Sequence, residues 1–345
     1  MQIRKSFGYI DDHLETNCAT KKLDLKMKFN TSHIIPKNFK IMTYNIWGLI
    51  RGNGDYLNFV KDTMVLRMEK ISEIILEDDP DIVCLQEMTN TSYEYLSKLK
   101  SRYKYCLEPN LNTNINKKER NRDVEVFVYS KYCPKQMKIY SITGNLGYNN
   151  CFMILEFHNL VIFNCYLQAG SKYSPGHDIS NNNNNIKHYS RCRSQQINII
   201  RKQINKYDKP IIMLGDFNMH LDGKIDDWIE LESLNKCNMC DAWVKLNKQN
   251  NGFTEDTDIN QMRWNIKFIN KQVRFDGIFY KNLEPTNIKL VGELPIVLNK
   301  LMTEKFKKYF VHDCELNKDK IRYYKDDLLA LFPSDHFGIS CNFNL

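Results

Sequence analysis

The sequence predicts an α/β fold, and three observations carry that expectation. The run Pro210-Ile211-Ile212-Met213-Leu214 ends abruptly in Gly215-Asp216-Phe217-Asn218, the pattern of a strand buried on both faces that leaves the core at a polar end. A strand-helix-strand pattern spans residues 39–87, with Asn45 closing its first strand and Glu87 its second. Five strand ends in all carry acids, amides or a histidine: Asn45, Glu87, Asp216 with Asn218, Asp276, and Asp335 with His336. Open α/β architectures place ligands just beyond strand ends, so matching ends imply one shared catalytic edge.

Taken in order, residues 1–37 are polar and lack periodicity, and are expected to form a mobile N-terminal extension. The core is expected over 38–345. Phe39 to Asn45 reads as a strand. Val60, Met64, Met68, Ile71 and Ile75 recur at helical spacing, and Asp79-Pro80 stops the helix before the strand Asp81–Glu87. Shorter runs at 124–129, 151–157 and 160–166 are spaced like antiparallel strands. A loop is expected between Leu167 and Tyr189, where Asn181 to Asn185 form a low-complexity run. Tyr189 to Ile204 reads as a basic helix whose Arg191, Arg193, Arg201 and Lys202 form a solvated face.

Beyond Asn218, a helix is expected around Ile225 to Leu234. Gln272 to Tyr280 reads as one strand with Asp276 in its middle, and Thr286 to Val291 as another. Residues 295–331 read as a helical insert rich in Lys and aromatics, serving either as core packing or as a stacking platform for nucleic acid. The strand Ile339 to Phe343 closes the chain. No repeat or linker divides the core, so a single domain is expected.

The 345 residues are 42% hydrophobic, ample for a core, and the net charge of +8 leans toward polyanionic partners. The N-terminus lacks an apolar stretch of signal-peptide length, and no apolar span is long enough to cross a bilayer. An intracellular, nuclear or cytoplasmic monomer is the expectation. The 11 cysteines are expected to be reduced, with Cys84, Cys165 and Cys341 acting as small hydrophobes; Cys237-Asn238-Met239-Cys240 lacks the second pair that a zinc site wants. The oxygen-rich set of strand ends suits a hard cation such as Mg²⁺, with Mn²⁺ as an alternative.

Thr43-Tyr44-Asn45, Leu85-Gln86-Glu87, Gly215-Asp216-Phe217-Asn218, Arg274-Phe275-Asp276-Gly277-Ile278-Phe279 and Ser334-Asp335-His336-Phe337-Gly338 stand in a recognisable order. In them the chain resembles the endonuclease/exonuclease/phosphatase superfamily over residues 38–345. The resemblance implies a four-layer α/β/β/α sandwich, with two mixed sheets face to face and helices outside. It also implies a metal-dependent phosphodiesterase in which Glu87, with Asn45 beside it, holds Mg²⁺. Asp216 would deprotonate water, Asn218 would donate to a phosphate oxygen, and a cationic His336 would bind the phosphoryl group. Asp276 or Asp335 would support the ring.

Within the superfamily the late motifs, including Phe253-Thr254-Glu255-Asp256-Thr257, are most similar to the type-2 tyrosyl-DNA phosphodiesterase branch, which frees DNA 5′ ends from tyrosine. That likeness marks Arg274, His220 and Thr254 as substrate-binding positions. Tyr166 stands where the branch has a histidine, resembles the corresponding tyrosine of apurinic endonucleases, and is expected to be catalytic. Glu255 replaces a DNA-contacting tryptophan, and His220 an arginine. Apurinic endonuclease, sphingomyelinase and inositol phosphatase activities, or a non-catalytic nucleic-acid-binding module, are the alternatives.

Overall fold

Apolar runs and a few alternating ones build two sheets in the computed structural model, which describes residues 22–48, 55–108, 126–142, 150–170, 183–221, 228–262, 270–310 and 322–345. The first strands are β1 (Lys22–Lys28), β2 (Asn38–Asn45), β3 (Ile82–Gln86), β4 (Tyr105–Leu107), β5 (Val126–Ser130) and β6 (Gln136–Ser141). Next come β7 (Cys151–Glu156), β8 (Val161–Tyr166), β9 (Ile211–Asp216), β10 (Cys240–Asp241), β11 (Glu255–Asp256) and β12 (Gln272–Val273). Last are β13 (Asp276–Lys281), β14 (Glu284–Val291), β15 (Ile296–Val297), β16 (Ala330–Leu331) and β17 (Gly338–Asn344). The helices are α1 (Asp55–Asp78), α2 (Asn90–Tyr95), α3 (Asn183–Ile204), α4 (Trp228–Asn235), α5 (Ala242–Leu246) and α6 (Lys300–Phe310).

One sheet runs β1-β6-β7-β8-β9-β13-β10 and the other β14-β17-β2-β3-β5-β4. Each is mixed, with one parallel pair, β8/β9 in the first and β2/β3 in the second. Their inner faces meet through Ile41, Cys84, Val128, Ile162, Leu214 and Ile339. On the outside of the second sheet, Met64, Met68, Ile71 and Ile75 of α1 pack against Tyr44, Leu85 and Phe127. On the outside of the first, Ile197, Ile200 and Ile204 of α3 cover Phe163 and Met213. Each such side chain contributes about 1.5–3 kcal/mol when fully buried, which fixes the helices on their sheets. The four layers expected from the resemblance are therefore present.

Four expectations change. The strand β1 pairs antiparallel with β6, so the sheet begins within the segment read as an extension, and residues 1–21 lie outside the described residues. Alternation over only seven lysine-rich residues is too weak a signal for an edge strand. Second, α3 starts at Asn183, inside the asparagine run, while 171–182 lie outside the described residues. Its Arg193 is fully buried on Glu230 (2.7 Å) and does not belong to a solvated face.

Third, Asp276 does not sit in mid-strand. The chain leaves the ladder at Arg274-Phe275, because the Thr254 hydroxyl accepts hydrogen bonds from the amides of Phe275 (3.0 Å) and Asp276 (3.1 Å). Asp276 thus opens β13. Fourth, the insert is not helical throughout: β15 and β16 pair across it, with α6 between them and 311–321 outside the described residues. Phe306 and Tyr309 of α6 are buried against α1, where the Tyr309 hydroxyl meets Asp62, so these two rings are core packing.

No described helix is long and apolar enough to cross a membrane. The described cysteines are free thiols. Burial pushes the thiols of Cys84, Cys165 and Cys341 well up, as their role as small hydrophobes requires.

Candidate active site

Register puts three of the expected residues in one row. Tyr166 on β8 and Asp276 on β13 are both direct partners of Asp216 on β9. Gly215 makes the row possible: its φ is 136°, and a Cβ there would lie 1.9 Å from the Cys165 carbonyl oxygen of β8. On the facing sheet Asn45 pairs with Gln86, so Asn45 and Glu87 leave at the same edge. Gln86 Nε2 donates to Asn164 Oδ1 of the opposite sheet at 2.7 Å, and Asn164 donates in turn to the carbonyls of Leu85 and Phe127. This buried network locks the two sheets together beneath the site.

Asn45 Nδ2 donates to Asp216 Oδ2 at 2.9 Å and to Glu87 Oε1 at 3.2 Å. The Tyr166 hydroxyl donates to the same Glu87 oxygen at 3.0 Å. Asn218 holds Asp216 from the other side, through its amide N–H to Oδ1 (2.8 Å) and its Nδ2 to Oδ2 (3.1 Å). Glu87 (φ 55°) and Asn218 (φ 51°) both adopt left-handed backbone, strain that a functional site retains where packing enforces it.

His336 lies between two carboxylates. Its Nδ1 is 2.7 Å from Asp276 Oδ2 and its Nε2 is 3.1 Å from Glu255 Oε1. Of the two candidate supports, Asp276 is the one on the ring. Glu255, which the sequence marked only as a departure, takes the other nitrogen, and Lys271 Nζ sits 2.6 Å from Glu255 Oε2. Asp335 adjoins the pair, for Glu255, Asp335 and His336 offer ligand atoms within 4.8 Å of one another.

These neighbours set the charges. Burial, then the charge of Asp276, pushes the Asp216 carboxyl up to about 8. Burial, followed by Asp335, raises Glu87 as well. Burial alone would keep His336 neutral, but the carboxylates of Asp276 and Glu255 outweigh it and hold the ring's pKa well above its ordinary value.

The residues fit a hard divalent cation. Acids that raise one another's pKa are relieved by a cation among them, and Asp276 Oδ1 is buried without a hydrogen-bond partner. The Asp216 and Asp276 carboxylates offer oxygens within 4.8 Å of each other, while His336 beside them is a cation held by two carboxylates and is no ligand. Asn45 ties Glu87 to Asp216 of this cluster through its shared amide.

The expected substrate-binding residues each make contacts within the scaffold. Thr254 positions Asp276 through its hydroxyl, and its carbonyl accepts the Phe337 amide at 2.7 Å, next to His336. Arg274 is buried, donating to the Leu221 carbonyl (2.9 Å) and Asp241 Oδ2 (2.8 Å). His220 is buried edge-on against the Phe275 ring.

Sequence reasoning missed two buried arginines that hold the loops. Arg67 donates to the carbonyls of Ile46, Trp47 and Pro333, tying the exit of β2 to the loop that carries His336. Arg193 donates to the carbonyls of Gln168 and Gly170, just after Tyr166. The available signal was a cation beside the apolar stripe of its helix, next to Met64 and Met68 for Arg67.

A strand edge that gathers buried acids, amides and an ion-paired imidazole is built to activate water beside a bound cation, the chemistry of metal-dependent hydrolases. The chain belongs to the Endonuclease/Exonuclease/phosphatase family, which it matches over residues 42–336, and it is an enzyme of that hydrolytic class.

Among solved structures the fold is similar to truncated Caenorhabditis elegans TDP2, at 17% identity, covering 89% of this chain and 98% of that one with a TM-score of 0.54. D. rerio TDP2 complexed with single strand DNA product gives 17% identity, 89% and 99% coverage and 0.54. Staphylococcus aureus beta toxin 275-280 gives 16%, 88% and 99%, and 0.57. At these identities the likeness is one of fold. A search of curated protein sequences finds no match.

Proposed function

We propose that this enzyme is a Mg²⁺-dependent phosphodiesterase, with Mn²⁺ as a substitute, that hydrolyses 5′-phosphotyrosyl DNA inside the cell. The observation that carries the reading is Asp216, buried among Asn45, Asn218 and Asp276 at the edge where His336 stands cationic.

As a carboxylate Asp216 takes a proton from the attacking water, and its raised pKa makes that carboxylate a stronger base than an ordinary one; a cation bound beside it would keep it ionised near neutral pH. The new bond joins the water oxygen to phosphorus as the phosphorus–tyrosine oxygen bond breaks. Asn218 fixes Asp216 and offers its amide to a phosphate oxygen. His336 binds the phosphoryl oxygens as charge builds on them, with Asp276 fixing the ring. Glu87 and Asn45 would hold Mg²⁺, which supplies Lewis-acid polarisation of a non-bridging oxygen. Asp335 adds negative charge beside His336 and Glu87.

Tyr166 favours an aryl leaving group. It donates a hydroxyl to Glu87 and brings no second imidazolium to the phosphate. A tyrosine leaving group, with a pKa of about 10, needs little protonation, whereas a sugar alkoxide needs much. A similar fold binds a single-strand DNA product, and the basic net charge suits that ligand.

Purified protein with Mg²⁺ is to be offered 5′-phosphotyrosyl DNA, abasic duplex, sphingomyelin and inositol phosphates. Cleavage of the first at least tenfold faster than the others is expected. Preference for any other member of the panel rejects the substrate assignment.

A further inference from the structure

Four buried side chains form a chain of alternating charge: Lys271, Glu255, His336 and Asp276. Their contacts are 2.6 Å from Lys271 to Glu255, 3.1 Å from Glu255 to His336 Nε2, and 2.7 Å from His336 Nδ1 to Asp276. An imidazole has two polar atoms, and Asp276 holds one of them. A phosphoryl oxygen must therefore be met by Nε2. In this structure Glu255 already sits on Nε2, offering an anionic oxygen at hydrogen-bond distance, as the substrate would.

We propose that Glu255 is a specificity-setting latch: it occupies the phosphate-binding nitrogen of His336 and is displaced by the substrate's phosphoryl oxygen, with Lys271 receiving it. The inference rests on the reading of His336 as a phosphate ligand. Two anions cannot share one N–H at full strength, so phosphate binding breaks the Glu255–His336 contact. Lys271 makes the exchange possible without leaving a bare carboxylate in a buried place, because it already contacts the second oxygen, Oε2. A weakly held anion fails to displace the latch. A phosphodiester anchored through the rest of its chain supplies the binding that does.

The latch predicts opposite effects for its two charges, where mere support of the fold predicts harm from both. Binding of inorganic phosphate is to be measured by ³¹P NMR titration on the full chain with Mg²⁺, together with kcat and KM on a cleaved phosphodiester. Glu255→Gln, which keeps the shape and loses the charge, is expected to bind phosphate roughly ten- to a hundredfold more tightly and to lower KM. Lys271→Met removes the acceptor of the displaced carboxylate and is expected to weaken phosphate and raise KM.

Where Lys271 left alone in Glu255→Gln compromises folding, the double variant Glu255→Gln/Lys271→Met serves, and tighter phosphate than wild type is again expected. Unchanged or weaker phosphate in a folded Glu255→Gln or double variant overturns the latch, as does a fall in kcat with KM unmoved. The phosphate titration does not depend on which diester is cleaved, so a wrong substrate assignment and a wrong latch give different results.

Discussion

Asn45 donates to Asp216 at 2.9 Å across the gap between the two sheets, and the same amide reaches Glu87 at 3.2 Å. One side chain therefore sets the spacing between the acid proposed to activate water and the acid proposed to hold the cation. Asn45→Ala is expected to lower kcat about a hundredfold, because both carboxylates lose their common donor. Steady-state kinetics checks it, with circular dichroism showing the fold intact.

Asp216→Ala removes the proposed base. Turnover is expected to fall by about two or more orders of magnitude, with the melting temperature unchanged or raised, since a buried acid crowded by Asp276 is lost. Near-normal turnover in this variant would show that another group activates the water.

Exhaustive chelation is expected to abolish activity, and Mg²⁺ or Mn²⁺ to restore it. The cation should also raise the melting temperature of wild type, because it binds the folded chain and relieves the acids. Replacement of Glu87 by Gln should reduce that rise. Full activity after chelation would refute the cation requirement.

Arg274 separates scaffold from substrate contact. If its bonds to Asp241 and the Leu221 carbonyl are its function, Arg274→Ala leaves a partly buried carboxylate without its cation and costs about 3–5 kcal/mol of stability. Denaturant melts measure this. An unchanged midpoint with weakened DNA binding would instead make it a substrate ligand.

Asp78 fastens the end of α1 to the sheet edge through Ser340 (2.6 Å) and Lys289 (2.8 Å). Burial works to raise its pKa, but hydrogen bonds from Lys289 and Ser340 and the Lys40 charge prevail and lower it. An acid with a lowered folded pKa stabilises above its unfolded value, about 3.9, and loses that contribution as pH falls through the folded value. Asp78→Asn is expected to cost about 1–3 kcal/mol at pH 7 and progressively less in acid. A difference that grows in acid would contradict the sign.

Strongly apolar runs were legible because burial writes them directly into the sequence: β2, β3, β8, β9, β13 and β17 lie where the runs place them, to within a few residues. The edge strand β1 was not read, since an edge strand half open to solvent carries little hydrophobic signal, and its buried neighbour β6 was not read either. The break before Asp276 escaped because its cause, the Thr254 hydroxyl, lies some twenty residues upstream.

The sequence by itself determined the α/β class, the family motifs and which acids, amides and histidine stand beside the strand ends, because strand burial and strand-end chemistry are local properties of the chain. Only the tertiary structure decided who touches whom. That Asp276 and Glu255 flank His336, that Lys271 backs Glu255, and that Arg67 and Arg193 hold backbone carbonyls are facts of packing between distant segments. An isolated charge in the sequence looks the same whether water or a buried partner will neutralise it. The fold makes that choice, since a charge carried into the core must find its partner there.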